Sequence, residues 1–270
     1  MTIKLIAIDI DGTLLNSHHQ ITTEVKEALQ KAEQQGVKIV LCTGRPLTGV
    51  TPLIDELGLD KEDDYVITYN GSLVQNSATK ERISMFGLSY DDFLAIEMTA
   101  RKLGIHLHTE TEEAIYTANR DISPYTIHEA FLVNMPLYYR TPEEMTPDLN
   151  IIKMMMIDEP ELLDLAEQNL PKSFYETYTV VKSTPFFLEF MNKQVDKGQA
   201  LYRLAEHLGY TAEEVMAIGD NENDLAMIQY AGLGVAMENA TDTIKQNAQF
   251  ITKSNDEHGV AHAIYTHVLV

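Results

Sequence analysis

The chain has 270 residues, 44% of them hydrophobic, and its 41 acidic side chains outnumber 20 basic ones, which gives a net charge of −21. This excess of negative charge argues against nucleic acid as a partner, because the phosphate backbone would repel it. A single cysteine, Cys42, excludes an internal disulfide, and no signal peptide or membrane-spanning run is evident. We therefore expect a cytoplasmic protein of two small domains that does not bind membranes, and the sequence indicates no oligomeric state.

An acidic pair follows the first predicted strand, the apolar run Lys4–Ile8. Asp9 and Asp11 are two residues apart, so they start out on the same face of the strand, and Gly12 allows a sharp turn behind them. Neighbouring carboxylates repel each other unless a shared proton or a cation stabilises them, and Mg²⁺ suits ligands that are all oxygen. One carboxylate could then attack phosphorus while the other transfers protons. The alternative is a simple turn that ends the strand.

A second motif follows the next predicted strand. Residues Asn16–Gln35 are predicted to form a helix, and Val37–Cys42 a buried strand. The Thr43 hydroxyl and the Gly44 amide after this strand can both donate to a phosphoryl oxygen, and Pro46 marks the start of a helix or turn. An ordinary strand-to-helix turn is the alternative.

A long insert separates this motif from the third one. A strand near Tyr65 is followed by Asn70 and Gly71, which predict a turn. More than half of the chain then lies between Thr43 and Lys197. Segment 82–189 has its own alternation of helix and strand patterns, which predicts a second domain inserted into a catalytic core of residues 1–81 and 190–270. The insert's predicted helices are 91–103 and 161–169, and its predicted strands are 106–109, 114–117, 151–157, 177–182 and 185–190.

The third motif is a lysine at the start of a predicted helix. Lys197 opens an amphipathic segment that ends at Gly209. Its ammonium would add to the positive end of the helix dipole, and two positive features in one place favour an anion. The alternative is a solvated surface lysine.

The fourth motif is a cluster of acids and amides that follows the apolar run 214–219. Asp220, at the carboxyl end of this predicted strand, is placed to complete an oxygen site for the cation. Asn223 could donate to a phosphoryl oxygen, and Asp224 could hold Lys197 or an outer-shell water. The alternative makes Asp220 a helix N-cap that is followed by a polar first turn.

The order of these patterns predicts an α/β fold with a doubly wound parallel sheet. Strands near residues 4, 37, 65, 215, 233 and 249 alternate with helices, which favours parallel pairing. In such sheets ligands bind beyond the carboxyl ends of the strands, where all four motifs fall.

The ordered motifs DIDGT, TGR, a lone Lys197 and GDNEND resemble the four motifs of the haloacid dehalogenase superfamily. Segments such as ITYNGSLVQ and AIGDNENDLAMI are similar to its Cof-type sugar phosphatases, and the resemblance covers essentially the whole chain. It implies a Rossmann-like core with a C2-type α+β cap, and an Asn-Gly pair like that at 70–71 is frequent near the site of other members. The roles that it implies are Asp9 as nucleophile, Asp11 as acid and base, Ile10, Thr43, Gly44, Lys197 and Asn223 as phosphate contacts, Asp9, Asp220 and the backbone carbonyl of Asp11 as Mg²⁺ ligands, and Asp224 as an outer-shell residue.

The hypothesis that results is Mg²⁺-dependent hydrolysis of a small-molecule phosphomonoester through an aspartyl-phosphate. Small sugar phosphates as substrates are implied by the resemblance alone. A phosphomutase could use the same residues and return the phosphoryl group to the substrate. A switch protein phosphorylated on aspartate is a further alternative, but such a module normally lacks an acid like Asp11 and needs no insert.

Overall fold

The computed structural model describes residues 2–269, in which strands and helices alternate along the chain. The strands are β1 (Leu5–Ile8), β2 (Lys38–Cys42), β3 (Tyr65–Thr68), β4 (Leu73–Asn76), β5 (Arg82–Met85), β6 (His106–Glu110), β7 (Ile115–Thr117), β8 (Leu137–Tyr139), β9 (Lys153–Ile157), β10 (Tyr178–Thr184), β11 (Phe187–Asn192), β12 (Val215–Gly219), β13 (Leu233–Ala236) and β14 (Phe250–Ile251). The helices are α1 (Thr23–Gln34), α2 (Leu47–Leu57), α3 (Tyr90–Leu103), α4 (Pro124–Leu132), α5 (Pro160–Gln168), α6 (Lys172–Thr177), α7 (Lys197–Leu208), α8 (Leu225–Tyr230), α9 (Asp242–Asn247) and α10 (Gly259–His267). None of the helices within residues 2–269 has the length and apolarity needed to cross a membrane.

The chain divides into two compact units. Of the described residues, the core unit contains 2–44, Thr51–Met85 and 196–269. The insert unit contains Arg45–Val50 and Phe86–Val195. Each unit has a sheet of its own, so the chain is an α/β core with a second domain inserted into it.

The core unit is built on an eight-stranded sheet in the order β14-β13-β12-β1-β2-β3-β4-β5. The strands from β14 to β3 pair in parallel, and β4 and β5 add an antiparallel edge. Strand β1 lies between β12 and β2 and is buried along its whole length, which is why it consists of apolar residues only. The predicted doubly wound parallel sheet is confirmed, and its strand ends set the position of the motifs.

Helices α1 and α7 show where the sequence patterns were accurate and where they were not. Helix α7 begins at Lys197 as predicted, because the Asp196 carboxylate caps it by accepting from the Gln199 amide at 2.7 Å, and it ends before a left-handed Gly209. Helix α1 begins only at Thr23, so the predicted start at 16 was wrong. The Asn16 side chain accepts from the backbone amides of residues 18 and 20, and this turn keeps the segment out of the helix.

The insert unit has a six-stranded sheet in the order β10-β11-β9-β6-β7-β8. Its pairs are antiparallel except for β7 with β8. Residues of α3, α5 and α6 bury an apolar cluster with strands β6, β9 and β11 of this sheet. The sequence patterns did not indicate α4, α6 and β8. Helix α4 leaves Ile127, Phe131 and Leu132 exposed, and this weakens the contrast between its apolar and polar faces.

The borders of the insert unit differ from the predicted range of 82–189. Strand β5 belongs to the core sheet, and the insert unit continues to Val195 because it contains the whole of β11. The short segment Arg45–Val50 also groups with the insert unit. Its Thr48 hydroxyl donates to the Val133 carbonyl, at the end of α4, at 2.5 Å.

Candidate active site

The predicted motifs of the core unit lie at the carboxyl ends of neighbouring parallel strands. Asp9 follows β1, Thr43 follows β2, and Asp220 follows β12. Because β1 pairs with both β2 and β12 in parallel, the three strands end at the same edge of the sheet. The Asp9 amide donates to the Ile218 carbonyl at 3.0 Å, which extends the ladder up to the first acid.

A buried lysine joins two buried carboxylates at this edge. Lys197 Nζ donates to Asp9 Oδ1 at 2.5 Å and to Asp224 Oδ1 at 2.6 Å. Lys197 and Asp224 are fully buried, and Asp9 is only 6% exposed. Burial alone would lower the pKa of Lys197, but the two carboxylates outweigh it and raise that pKa above its usual range. The lysine therefore remains charged, and the alternative of a solvated surface lysine is excluded.

Asp224 also fixes the loop that follows β12. Its second oxygen, Oδ2, accepts from the backbone amides of Asp220 at 2.9 Å and Asn221 at 3.1 Å. A Cβ at Gly219 would lie 2.6 Å from this carboxylate, so only glycine allows the close approach. Both oxygens of Asp224 are thus engaged, and the predicted contact with Lys197 is present.

Three carboxylates converge on a possible metal site. Oxygens of Asp9, Asp220 and Asp224 lie within 4.8 Å of one another. Asp220 Oδ1 accepts from the Thr13 hydroxyl at 2.8 Å, and a Cβ at Gly12, where φ is +80°, would lie 2.5 Å from Asp220 Oδ2. Burial raises the pKa of Asp220 to about 6, and burial together with Asp224 raises the pKa of Asp9 well above its usual range. These three neighbouring carboxylates, with oxygen as the only donor atom, fit a hard divalent cation.

The carboxylate cluster contains Asp224 in addition to Asp9 and Asp220, which were predicted as metal ligands together with the backbone carbonyl of Asp11. Because Lys197 and two amides already occupy Asp224, Asp9 and Asp220 are the better candidates for direct ligands. The Asp11 side chain is exposed, and the turn around it is closed by backbone bonds from residue 14 to Asp9 and from residue 15 to Ile10. Asp11 is thus held beside the cluster without being buried in it.

The segment after β2 is bound to a turn that follows β3. Thr43 is buried, its amide donates to the Ile67 carbonyl, and its carbonyl accepts from the Asn70 amide, both at 2.9 Å. Asn223, which is exposed, donates from Nδ2 to Asn70 Oδ1 at 3.0 Å. A Cβ at Gly44 would lie 3.1 Å from both polar atoms of the Asn70 side chain. Asn70, predicted as part of a turn of a kind that is frequent near the site of other family members, therefore lies between two of the predicted phosphate motifs. The signal in the sequence was an Asn-Gly pair at the carboxyl end of a core strand.

The similarity to known proteins extends over nearly the whole chain. Residues 6–264 match the haloacid dehalogenase-like hydrolase family. A Streptococcus pyogenes protein named "putative phosphatase" is 54% identical over 269 residues, which cover 100% of each chain. A crystal structure of a haloacid dehalogenase-like hydrolase from Bacteroides thetaiotaomicron is 36% identical, with a TM-score of 0.87 over 98% of this chain and 99% of that one. The solved sugar phosphatase BT4131 is 25% identical, with a TM-score of 0.77 over 97% and 98% of the two chains. Because both the family match and the most similar of these proteins span core and insert alike, the chain belongs to the haloacid dehalogenase-like hydrolases.

Proposed function

We propose that this hydrolase is a Mg²⁺-dependent phosphatase that cleaves small sugar phosphates through a phosphoryl group carried on Asp9. The observation that carries the proposal is the buried set of Asp9, Lys197 and Asp224 beside Asp220 at the edge of the parallel sheet. A carboxylate attacks an anionic phosphate only where positive charge offsets the repulsion, and Lys197 supplies such a charge. Similarity to proteins named as phosphatases supports the reaction, and the solved sugar phosphatase supports the substrate class.

In the first step Asp9 is the nucleophile. Its Oδ1 accepts from Lys197, which leaves Oδ2 to form the bond to phosphorus. The bond from phosphorus to the sugar oxygen breaks at the same time, and Asp11 in its acid form donates a proton to that oxygen. The exposed position of Asp11 gives it access to the leaving group. The products are the free sugar and a phosphoryl group on Asp9.

In the second step water removes the phosphoryl group from Asp9. Asp11, now a carboxylate, accepts a proton from the attacking water, and the bond between phosphorus and the Asp9 oxygen breaks. Inorganic phosphate leaves, and both aspartates return to their starting forms. One residue thus serves as acid and then as base.

The phosphoryl oxygens need donors that are in place before the substrate arrives. Lys197 is fixed by two short bonds, and the Thr43 hydroxyl, the Ile10 and Gly44 amides and the Asn223 carboxamide are the remaining candidates. Asp9 and Asp220, with the Asp11 carbonyl, would hold Mg²⁺. When bound, the ion supplies positive charge that offsets the negative charge of the carboxylates and of the phosphoryl group.

The proposal is tested by phosphate release from a panel of sugar phosphates and from p-nitrophenyl phosphate. We expect release that requires Mg²⁺, stops with a chelator, and falls about a thousandfold or more in Asp9→Asn. Asp60→Asn, at an exposed position, is the matched control and should keep full activity. Failure of the folded, Mg²⁺-loaded enzyme to release phosphate from every substrate would overturn the proposal. Conversion of one sugar phosphate to an isomer without phosphate release would indicate a phosphomutase.

The covalent step has a test of its own in Asp11→Asn. p-Nitrophenolate leaves without help from an acid, so this variant should still transfer the phosphoryl group to Asp9. Hydrolysis needs the base, so radiolabelled phosphate should remain on acid-quenched Asp11→Asn and not on Asp9→Asn. A variant that turns over without ever carrying label would contradict the intermediate.

A further inference from the structure

A strained turn in the core unit directly follows β3. Tyr69, Asn70 and Gly71 have φ angles of +51°, +56° and +100°, so three consecutive residues lie in the left-handed region. Glycine accepts such angles and asparagine tolerates them, but a tyrosine adopts them only where the surroundings enforce it. Strain of this kind concentrates at functional sites, where the surrounding structure holds it in place.

The turn contacts the three segments assigned to phosphate binding. The Asn70 amide donates to the Thr43 carbonyl at 2.9 Å. A Cβ at Gly71 would lie 2.4 Å from the Asp196 carbonyl oxygen, so the turn packs against the residue before Lys197. Asn70 Oδ1 accepts from Asn223 Nδ2 at 3.0 Å. One short turn thus connects the segments that follow β2, begin α7 and follow β12.

The Asn70 side chain lies between the Gly44 segment and Asn223. A Cβ at Gly44 would be 3.1 Å from both Oδ1 and Nδ2 of Asn70, so the carboxamide leaves no room for a side chain there. Asn223 is exposed, and its bond to Asn70 restricts a carboxamide that would otherwise rotate freely. A carboxamide nitrogen carries two hydrogens, so Asn223 Nδ2 can donate one to Asn70 and the other to a ligand.

We propose that Asn70 is a positioning residue that orients the Asn223 carboxamide toward the phosphoryl group. The inference rests on the proposed phosphatase function and adds a residue to its phosphate site. Asn70 acts through Asn223 and does not itself contact the substrate. A donor that is already oriented does not have to reorganise when the phosphoryl group binds. The left-handed backbone of Asn70 is what brings its Oδ1 to Asn223 while its amide stays bonded to Thr43.

The test is a double-mutant cycle of Asn70→Gly and Asn223→Ala. Glycine retains the left-handed backbone and removes only the side chain, so the fold should be kept. Asn134→Gly is the matched control, because Asn134 has nearly the same φ of +53° on an exposed turn of the insert unit. The readouts are kcat/KM for p-nitrophenyl phosphate and the inhibition constant of inorganic phosphate, with thermal unfolding measured for every variant.

We expect Asn70→Gly to lower kcat/KM and to weaken phosphate inhibition by about tenfold each in the wild-type background. In the Asn223→Ala background the same change should have less than about a twofold effect, because the residue through which it acts is gone. Asn134→Gly should also change both values by less than about twofold.

Equal effects of Asn70→Gly in both backgrounds would overturn the proposal, and so would no effect in the wild type. General damage to the fold would lower activity in both backgrounds, so it also gives the overturning result. A wild-type enzyme without phosphatase activity would instead refute the proposed function. The two failures are therefore distinguishable.

Discussion

Glu129→Gln is expected to stabilise the protein increasingly as the pH rises from 5 to 8. Glu129 lies on α4 of the insert unit, is 5% exposed, and has an oxygen 3.8 Å from Lys153 Nζ. Glu110 and Glu189 share this lysine at 3.5 and 3.3 Å, and His108 Nε2 lies 3.3 Å from Glu110. Three buried carboxylates thus surround one ammonium group, which cannot stabilise them all.

The magnitude follows from the pKa of Glu129. Burial raises this pKa from 4.5 to about 7, and the neighbouring carboxylates add to the effect while Lys153 opposes it. A raised carboxyl pKa means that the folded state holds a proton that the unfolded state has lost, so stability falls as the pH rises above 4.5. At about 1.36 kcal/mol for each pH unit, the loss is about 3 kcal/mol once the pH passes 7, and less than about 1 kcal/mol at pH 5. Glutamine removes this loss because it does not ionise.

The assay is urea unfolding of wild type and Glu129→Gln at pH 5 and pH 8. The difference in unfolding free energy between the two proteins should grow by about 2 to 3 kcal/mol in favour of the variant from the lower to the higher pH. Glu27→Gln, at an exposed position on α1, controls for the substitution itself. A difference that is the same at both pH values, or that shrinks at pH 8, would refute the reasoning.

Other parts of the core unit lead to further expectations. Lys197→Met removes the only cation that pairs with the buried Asp9 and Asp224 carboxylates among the contacts described above, so urea unfolding should show a loss of about 3 to 5 kcal/mol. A loss no larger than that of Lys172→Met, at an exposed position, would contradict this. Gly12→Ala should lower phosphate release about a hundredfold, because its Cβ would displace the carboxylate of Asp220, a proposed Mg²⁺ ligand. Gly58 also has a positive φ, but a Cβ there would meet no atom within 4 Å. Gly58→Ala is therefore the control, and it should leave the rate of phosphate release unchanged. Burial raises the pKa of the Cys42 thiol, so this cysteine should react with Ellman's reagent at pH 8 only when the protein unfolds, and rapid reaction in native buffer would show that it is accessible.

The sequence predicted the parallel strands and the motifs at their ends, because the same residues that form each local pattern also determine how the strands pair. Apolar runs that end in polar motifs identified the parallel strands, and the rule that ligands bind beyond their carboxyl ends brought Asp9, Thr43 and Asp220 to one edge. The contact between Lys197 and Asp224 was anticipated as one of two possibilities, and it is present at 2.6 Å. These assignments needed no knowledge of side-chain packing.

What the sequence did not predict depends on contacts between residues that are distant along the chain. Asn70 meets Asn223 across 153 positions, and neither residue indicates the other by its pattern. The charge cluster of the insert unit also joins residues that are distant along the chain. Lys153 lies on β9 and Glu129 on α4, and the sequence patterns did not predict α4. The early helix start failed for a local reason, because a propensity pattern does not reveal that the Asn16 side chain bonds to the backbone after it.

Each unit places one buried lysine among several carboxylates, and the distances distinguish the two arrangements. Around Lys197 the bonds measure 2.5 and 2.6 Å, and Asp224 uses its other oxygen to bind two backbone amides. Around Lys153 the corresponding distances are 3.3 to 3.8 Å, and Glu110 Oε2 has no hydrogen-bond partner. Tight bonds hold the first set of charges in one geometry, which is what stabilising a phosphoryl group without reorganisation requires. The looser set is expected to destabilise the protein at neutral pH. Its Glu129 has a raised pKa, which means that Lys153 does not compensate for the burial of that carboxylate. The tight cluster thus keeps its charges in one geometry, whereas the loose cluster lowers the stability of the insert unit as the pH rises.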